Sequence, residues 1–379
     1  MEQESISKRS VGVIGAGPAG CICAYYLGLN NNLDVTIFDS GKILRTLLPT
    51  GGGRCNLAHS EFDFKELAKN YPRGEKFLYS IFSRFSTIDA LNFFKNIGVE
   101  TYTQEDGRIF PITNSSINVR EKIINSLKCK FINEKVIKIS SEIENNIWNI
   151  KTDTNIYNFD FIVVAIGGHC GFDLLQELNI NIIPPTQSLV GLITKEDFSK
   201  LAGVSINDML FTHRGVSGPY IYKISSLKAR ENFPYKILVK LAVLNNLQKL
   251  LNTNPHKDIK NLLSEYLPKS LSEYILEQLD VDSHTKCHAI NGKTRDKIID
   301  YVENFTITAV DKVPDGEIVT CGGVDLKEVN PKTLESKKYS GLYFCGEVLD
   351  IDGFCGGFNL QNCWSTGFVA ADSIVNRIL

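Results

Sequence analysis

The chain has 379 residues, 43% of them hydrophobic, with 41 basic and 43 acidic side chains and a formal net charge of -2. That length buries a large core and is expected to divide into two or three domains. The balanced charge excludes a general electrostatic pull on nucleic acid, and no run of about 18 apolar residues is present to span a membrane, so neither partner is expected.

Residues 1–10 are polar and lack the apolar stretch of a secretory signal, which points to a cytoplasmic protein. Ten cysteines are scattered without a C-x-x-C pair and are expected to be reduced thiols, with Cys21 and Cys23 packing as small apolar groups.

The first element is the apolar run Val11–Ile14, followed by Gly15-Ala16-Gly17-Pro18-Ala19-Gly20 and a helix from Pro18 to about Leu27. Gly15 permits a tight turn, Gly17 lets backbone N–H groups approach a pyrophosphate, and Gly20 lets the helix lie against the strand. Pro18 suits a first helical turn, and the positive end of the helix faces the phosphates. The next strand, Val35–Phe38, ends at Asp39, 19 positions after Gly20, close to the spacing of a ribose-binding acid. Asp39 with the adjacent Ser40 therefore completes a dinucleotide site whose ribose carries a free 2′-OH.

Thr50-Gly51-Gly52-Gly53-Arg54-Cys55-Asn56 comes next. Three consecutive glycines contribute no packing, so they imply close approach by a ligand. Arg54 is a candidate to neutralise a phosphate or a reduced flavin, Cys55 to face a ring, and Asn56 to cap a helix or bond the cofactor. An amphipathic helical stretch follows over 75–97. Residues 131–139, 147–151 and 155–158 read as a small inserted sheet before the buried strand Phe161–Ala165.

After Pro184-Pro185 the chain becomes a series of short strands over 189–194, 209–213 and 235–243, and a helical period runs from 244 to about 303. In this last segment His284 and His288 have i, i+4 spacing. No further ligand accompanies them, so a solvated helix face is expected and no metal site. At the C-terminus a buried strand, Gly341–Cys345, leads through Gly346, Glu347, Asp350 and the glycines Gly353, Gly356 and Gly357 into a final helix beginning near Asn359, Leu360 and Gln361.

These motifs, with Asp106-Gly107-Arg108-Ile109-Phe110-Pro111, Thr212-His213-Arg214-Gly215-Val216-Ser217-Gly218-Pro219 and Thr320-Cys321-Gly322-Gly323-Val324, cover nearly the whole chain. In them the sequence resembles the bacterial NAD(P)/FAD-dependent flavoprotein family that includes aminoacetone oxidase-like enzymes and bile-acid 3-dehydro reductases. The resemblance implies an α/β fold with a discontinuous Rossmann-like FAD-binding domain (1–187 and 319–379). It further implies a β-barrel-like middle domain (188–243 and 304–318) and a small helical insertion (244–303). It implies FAD in the first glycine turn, Asp39 on the adenosine ribose, and contacts from Gly52 to Cys55. By the same likeness Ala165, Ile166 and Gly167 close over the dinucleotide, Gly346 and Glu347 lie at its ribityl-pyrophosphate part, and Gly357 to Gln361 lie beside the flavin. Val136 is the position whose backbone meets the adenine. The family's usual lysine is Thr46 here, with Arg45 adjacent, and Ala58-His59 replaces a common Thr-Asn.

The expected activity is FAD-dependent hydride transfer between NAD(P)H or a small organic substrate and the flavin, with a small molecule or dioxygen as acceptor. Any NAD(P)H docks transiently, since a second complete glycine fingerprint is absent. His213 is the candidate proton donor or substrate contact. A flavin-containing regulatory protein and a tRNA-modifying flavoprotein are the alternatives, while substrate and oligomeric state are not legible.

Overall fold

The computed structural model describes residues 8–142, 147–169, 171–244, 246–314 and 319–379. It divides into two compact units: the residues up to Thr186 together with Val319–Leu379, and the intervening stretch from Gln187.

The first unit is built on a five-stranded parallel sheet. Its strands are β1 (Arg9–Ile14), β2 (Leu33–Phe38), β3 (Lys130–Ile132), β4 (Phe161–Val164) and β5 (Leu342–Phe344), in the spatial order β5-β4-β1-β2-β3. The registers pair Val13 with Val163 and Ile37, and Val163 with Tyr343, so strands from both ends of the chain lie side by side. Near-continuous Val and Ile runs form these strands because both faces are covered, which removes the usual polar alternation. Helix α1 (Pro18–Leu27) buries seven of its ten residues and packs against α2 (Phe358–Ile378), the 21-residue C-terminal helix. Cys21 and Cys23 are fully buried on α1, as small apolar groups should be.

Two elements differ from the sequence expectation. The stretch 75–97 is two helices, Glu75–Phe82 and Thr87–Asn96, because Ser86 and Asp89 form a capping box that starts a new helix. The stretch 131–139 is also divided: β3 completes the parallel sheet, and Val136–Glu142 then opens a separate antiparallel sheet with Ile147–Thr152 and Ile156–Phe159. Alternation along the sequence reports a strand but not the sheet to which it belongs.

The second unit holds a six-stranded antiparallel sheet in the order 205–206, 209–212, 215–217, 192–194, 305–312, 235–239. Its end strands are not paired with each other among the described residues. Instead the Asn207 amide donates to the carbonyls of Lys240 (3.1 Å) and Leu241 (2.8 Å) and draws the two ends together. The helices between 247 and 303 share one apolar core with this sheet, in which Phe211, Ile237 and Phe305 meet Leu262, Ile275 and Ile298. His284 and His288 do not lie on an α-helix. Cys287–Ala289 is a single 3-10 turn, His284 Nδ1 meets Asp258 Oδ2 at 3.3 Å, and His288 Nδ1 meets the Pro255 carbonyl at 2.8 Å. Among the described residues no helix is long and apolar enough to cross a membrane.

Candidate functional site

The carboxyl ends of β1, β2, β4 and β5 converge on the predicted dinucleotide loops, the position where open parallel sheets place ligands. Gly15 N–H donates to the Phe38 carbonyl (2.8 Å), Ala165 N–H to the Ile14 carbonyl (2.8 Å) and Cys345 N–H to the Val164 carbonyl (3.1 Å). Asp39 fastens the first turn: one carboxylate oxygen accepts from Ala16 N–H (2.8 Å) and the other from Gly41 N–H (2.7 Å). This fixes the acid at the mouth of the loop, with Ser40 exposed beside it.

Two of the glycines have different physical reasons. A Cβ on Gly20 would lie 1.9 Å from the Gly15 carbonyl oxygen, so the protein's own close packing requires glycine there. Gly17 is under no such demand. Its φ of -78° and ψ of -175° suit any residue, and an added Cβ would meet only Thr46 Oγ1, at 3.8 Å. A glycine that the folded chain does not need, at the N-cap of a ten-residue helix, fits a pyrophosphate seated against the backbone. Gly52, Gly53 and Gly167 likewise border open space, with nothing within 4 Å of an added Cβ. The residues present therefore fit FAD: Gly15, Gly17 and Pro18 would hold the pyrophosphate, and Asp39 the adenosine ribose.

The triple-glycine loop is bound to the start of α2. In the amide orientation that satisfies its neighbours, Asn56 accepts from Gly357 N–H (3.0 Å) and donates to the carbonyls of Ala58 (3.0 Å) and Ile109 (3.2 Å). Trp364 Nε1 donates to the Leu57 carbonyl (2.9 Å) from further along α2. Arg54 lies over the Phe110 ring, 4.3 Å from its centroid, and its Nε donates to the Gly51 carbonyl (3.3 Å). Asn359 closes the loop before α2, exchanging two 2.8 Å hydrogen bonds with Gly353, while Leu360 stays half-buried beside it. Glu347 Oε1 accepts from Thr320 N–H (3.2 Å), and the Glu347 side chain packs against Gly168.

Several predicted contacts are corrected by burial. The Cys55 side chain is fully buried at a φ of 65°, and burial raises its thiol pKa to about 12, so it points into the core as a neutral thiol rather than at a ring. Gln361 is also fully buried, and its Nε2 donates to Ser365 Oγ (3.0 Å) while its Oε1 has no partner among the described residues. Ala16, Ala19, Gly20, Ala165 and Gly346 are sealed as well and shape the loops through their backbone. A Cβ on Gly346 would lie 2.5 Å from Ala19 Cβ, which locks the end of β5 to α1. Ile166, half-buried, sits beside the open Gly167, and Val136 stands at the start of its strand four residues after β3.

Some supports were not visible in the sequence. Tyr71 O–H donates to the Phe358 carbonyl (2.6 Å), Arg73 pairs with the fully buried Asp352, and His59 stacks on Phe358 at 4.7 Å. Each joins residues hundreds of positions apart, and no local pattern marks such pairs. Thr46, the departure named in the sequence, places its hydroxyl oxygen 3.8 Å from where a Cβ on Gly17 would lie.

The second unit has its own cavity of about 410 Å³, lined by Thr212, His213, Arg214, Ser217 and Tyr222 among others. His213 is exposed in the turn between two strands. Ser217 Oγ donates to the Tyr222 hydroxyl oxygen (3.1 Å), which leaves the Tyr222 proton free for a ligand.

Comparison with known proteins agrees with this fold. The family described as "HI0933-like protein Rossmann domain" matches residues 9–373. A protein of Haemophilus influenzae named ribosomal RNA dihydrouridine synthase is 30% identical over 96% of this chain and 97% of its own. The Escherichia coli protein of the same name is 26% identical over 96% and 97%. A Clostridium scindens protein named 3-dehydro-bile acid delta(4,6)-reductase is 26% identical over 97% and 99%. Among solved structures, the FrdA protein of Escherichia coli quinol fumarate reductase has the same fold, with a TM-score of 0.51 at 13% identity, covering 98% of this chain and 70% of that one. The chain belongs to the HI0933-like family of FAD-binding Rossmann-fold oxidoreductases.

Proposed function

We propose that this protein is an FAD-dependent reductase of carbon–carbon double bonds conjugated to a carbonyl, that NAD(P)H is its electron donor, and that a uracil base in RNA is its acceptor. The observation that carries the reading is chemical. The two differently named kinds of relative, a dihydrouridine synthase and a delta(4,6)-reductase of a 3-oxo steroid acid, are named for saturating an alkene next to a carbonyl. In such a reaction NAD(P)H gives up a hydride and becomes NAD(P)+, and the carbon β to the carbonyl gains a hydride equivalent. A proton reaches the α-carbon and the double bond becomes single. When bound, FAD supplies the two-electron relay between donor and acceptor.

The chain's own residues bind and orient. The Gly15–Gly20 turn and Asp39 would hold the cofactor, and the loop fastened by Asn56 and Asn359 fixes the approach to α2. In the second unit, Tyr222 with its undonated proton and His213 beside it line a cavity of that unit's own. RNA is favoured as acceptor by the curated relatives at 30% and 26% identity. A small conjugated ketone is the second reading, favoured by the Clostridium scindens relative.

The test is anaerobic. The FAD-loaded protein is reduced with NADH or NADPH and mixed with an unmodified ribosomal RNA transcript or with a conjugated ketone. Return of the oxidised flavin band is followed, together with the gain of two hydrogens by mass spectrometry. RNA is expected to reoxidise the flavin in step with dihydrouridine formation. Reoxidation by the ketone alone favours the second reading. Reoxidation by neither defeats both and leaves a flavin-containing binding protein.

A further inference from the structure

The first unit carries a second, strongly basic cavity of about 690 Å³. It is formed by the chain just before β5 and by the last turns of α2, with Arg84 contributed from a distant loop. Five cations line it, Arg84, Lys332, Lys337, Lys338 and Arg377, against one lining carboxylate, Glu335. Arg377 pairs with Glu335, and Arg84 pairs with Asp372 behind the wall. The lysines are not neutralised in this way. Lys337 Nζ donates to the Lys327 carbonyl (2.9 Å) and Lys338 Nζ to the Leu178 carbonyl (3.2 Å), and both keep their charge and further protons. The Lys332 ammonium meets no partner among the described residues, and all three lysines are exposed. Three uncompensated positive charges thus share one hollow in a chain whose net charge is -2.

The neutral groups have the same polarity. The Ser340 hydroxyl oxygen accepts from Arg377 Nη2 (2.7 Å) and the Thr333 hydroxyl oxygen from Glu335 N–H (3.2 Å), so both retain O–H protons to donate. Lysine, arginine and hydroxyl donors around an acceptor-poor hollow are the groups that hold phosphate.

Position decides what kind of phosphate. The cavity uses Ser373, Asn376 and Arg377 near the end of α2, whereas the cofactor loops adjoin its start at Gly357. A 21-residue helix is roughly 30 Å long at 1.5 Å per residue. A ligand that reaches both ends at once is a polymer.

We propose that this cavity binds backbone phosphates of the RNA whose uracil is reduced at the flavin. This rests on the RNA reading given above, and it supplies locally the attraction that the overall charge lacks.

The test measures binding of the FAD-loaded protein to a labelled ribosomal RNA transcript across a series of KCl concentrations. Wild type is compared with the Lys332→Ala/Lys337→Ala double variant and with Lys249→Ala/Lys293→Ala, an equal change of charge at exposed positions of the second unit. Each lost phosphate contact flattens the plot of log affinity against log salt by about 0.7 to 0.9. The cavity variant is therefore expected to lose roughly 1.5 from the slope and about tenfold or more in affinity. Its FAD content, melting temperature and rate of flavin reduction by NAD(P)H should be unchanged, and the control variant should behave as wild type.

An unchanged slope and affinity in the cavity variant overturns the proposal while leaving RNA reduction standing. Variant-sensitive binding of inorganic pyrophosphate or ATP, with RNA binding insensitive, assigns the cavity to a free phosphate ligand and also overturns it. Failure of wild type to bind RNA overturns both the cavity and the RNA reading. Salt-sensitive, variant-sensitive binding without dihydrouridine formation upholds the cavity and rejects the reaction.

Discussion

Replacement of Gly17 by alanine separates what the fold needs from what the cofactor needs. With φ at -78° and 3.8 Å to the nearest atom, the new methyl meets no obstacle in the folded chain. Restricting the unfolded chain should then stabilise the cofactor-free protein by about 0.4 to 1 kcal/mol. If FAD lies with its pyrophosphate at the helix N-terminus, the same methyl would occupy the space between them. Loss of one or two charge-assisted N–H bonds, each about 1.5 to 3 kcal/mol, weakens FAD binding by about 2 to 4 kcal/mol. That is roughly 30- to 700-fold in Kd. FAD titration by fluorescence quenching, with thermal melts of the same preparations with and without FAD, reads both quantities. The expected result is an unchanged or slightly raised melting temperature without FAD, and loss of the increase that saturating FAD gives wild type. Gly20→Ala is the contrast: its methyl would press within 1.9 Å of the Gly15 carbonyl oxygen, so both the fold and FAD binding should weaken. A Gly17→Ala protein that binds FAD within threefold of wild type would refute the placement of the pyrophosphate.

Arg73→Ala should destabilise the first unit by about 3 kcal/mol, because it strips the guanidinium from the fully buried Asp352, and chemical denaturation measures the loss. Stability should fall in alkali. Burial raises the pKa of Cys55 from an ordinary 9.0 to about 12 and of Tyr235 and Tyr274 from 10.0 to about 12. An acid held neutral in this way contributes fully below its unfolded pKa and loses that contribution as pH rises towards the folded value. Urea midpoints should therefore be level up to about pH 9 and decline between about 9 and 12, and a flat profile across that window would contradict the buried, neutral thiol.

Much of the architecture around the glycine turns was legible because its physics is local. The turn from β1 to α1, the acid at the end of β2 and the strand-loop-helix run into α2 each announce themselves within about 20 residues. The parallel sheet was equally open to reading, since short unbroken Val and Ile runs between turns suit strands covered on both faces. Direction of side chains was not. Cys55 sits in a glycine-rich segment that invites a ligand role, yet a left-handed backbone turns its thiol into the core. The helical expectation at His284 and His288 failed because i, i+4 spacing carries no information about the 3-10 turn that interrupts it. The basic cavity was hidden by distance along the chain: Arg84, Lys332 and Arg377 are far apart in sequence, and a balanced total charge conceals their meeting.

The most direct measurement of the central claim is a single-turnover reaction of the reduced, FAD-loaded protein without oxygen. On mixing with ribosomal RNA lacking the modification, the oxidised flavin spectrum should return with one dihydrouridine formed per flavin reoxidised. A flavin that stays reduced in the presence of both the RNA and a conjugated ketone would contradict the proposed reductase activity.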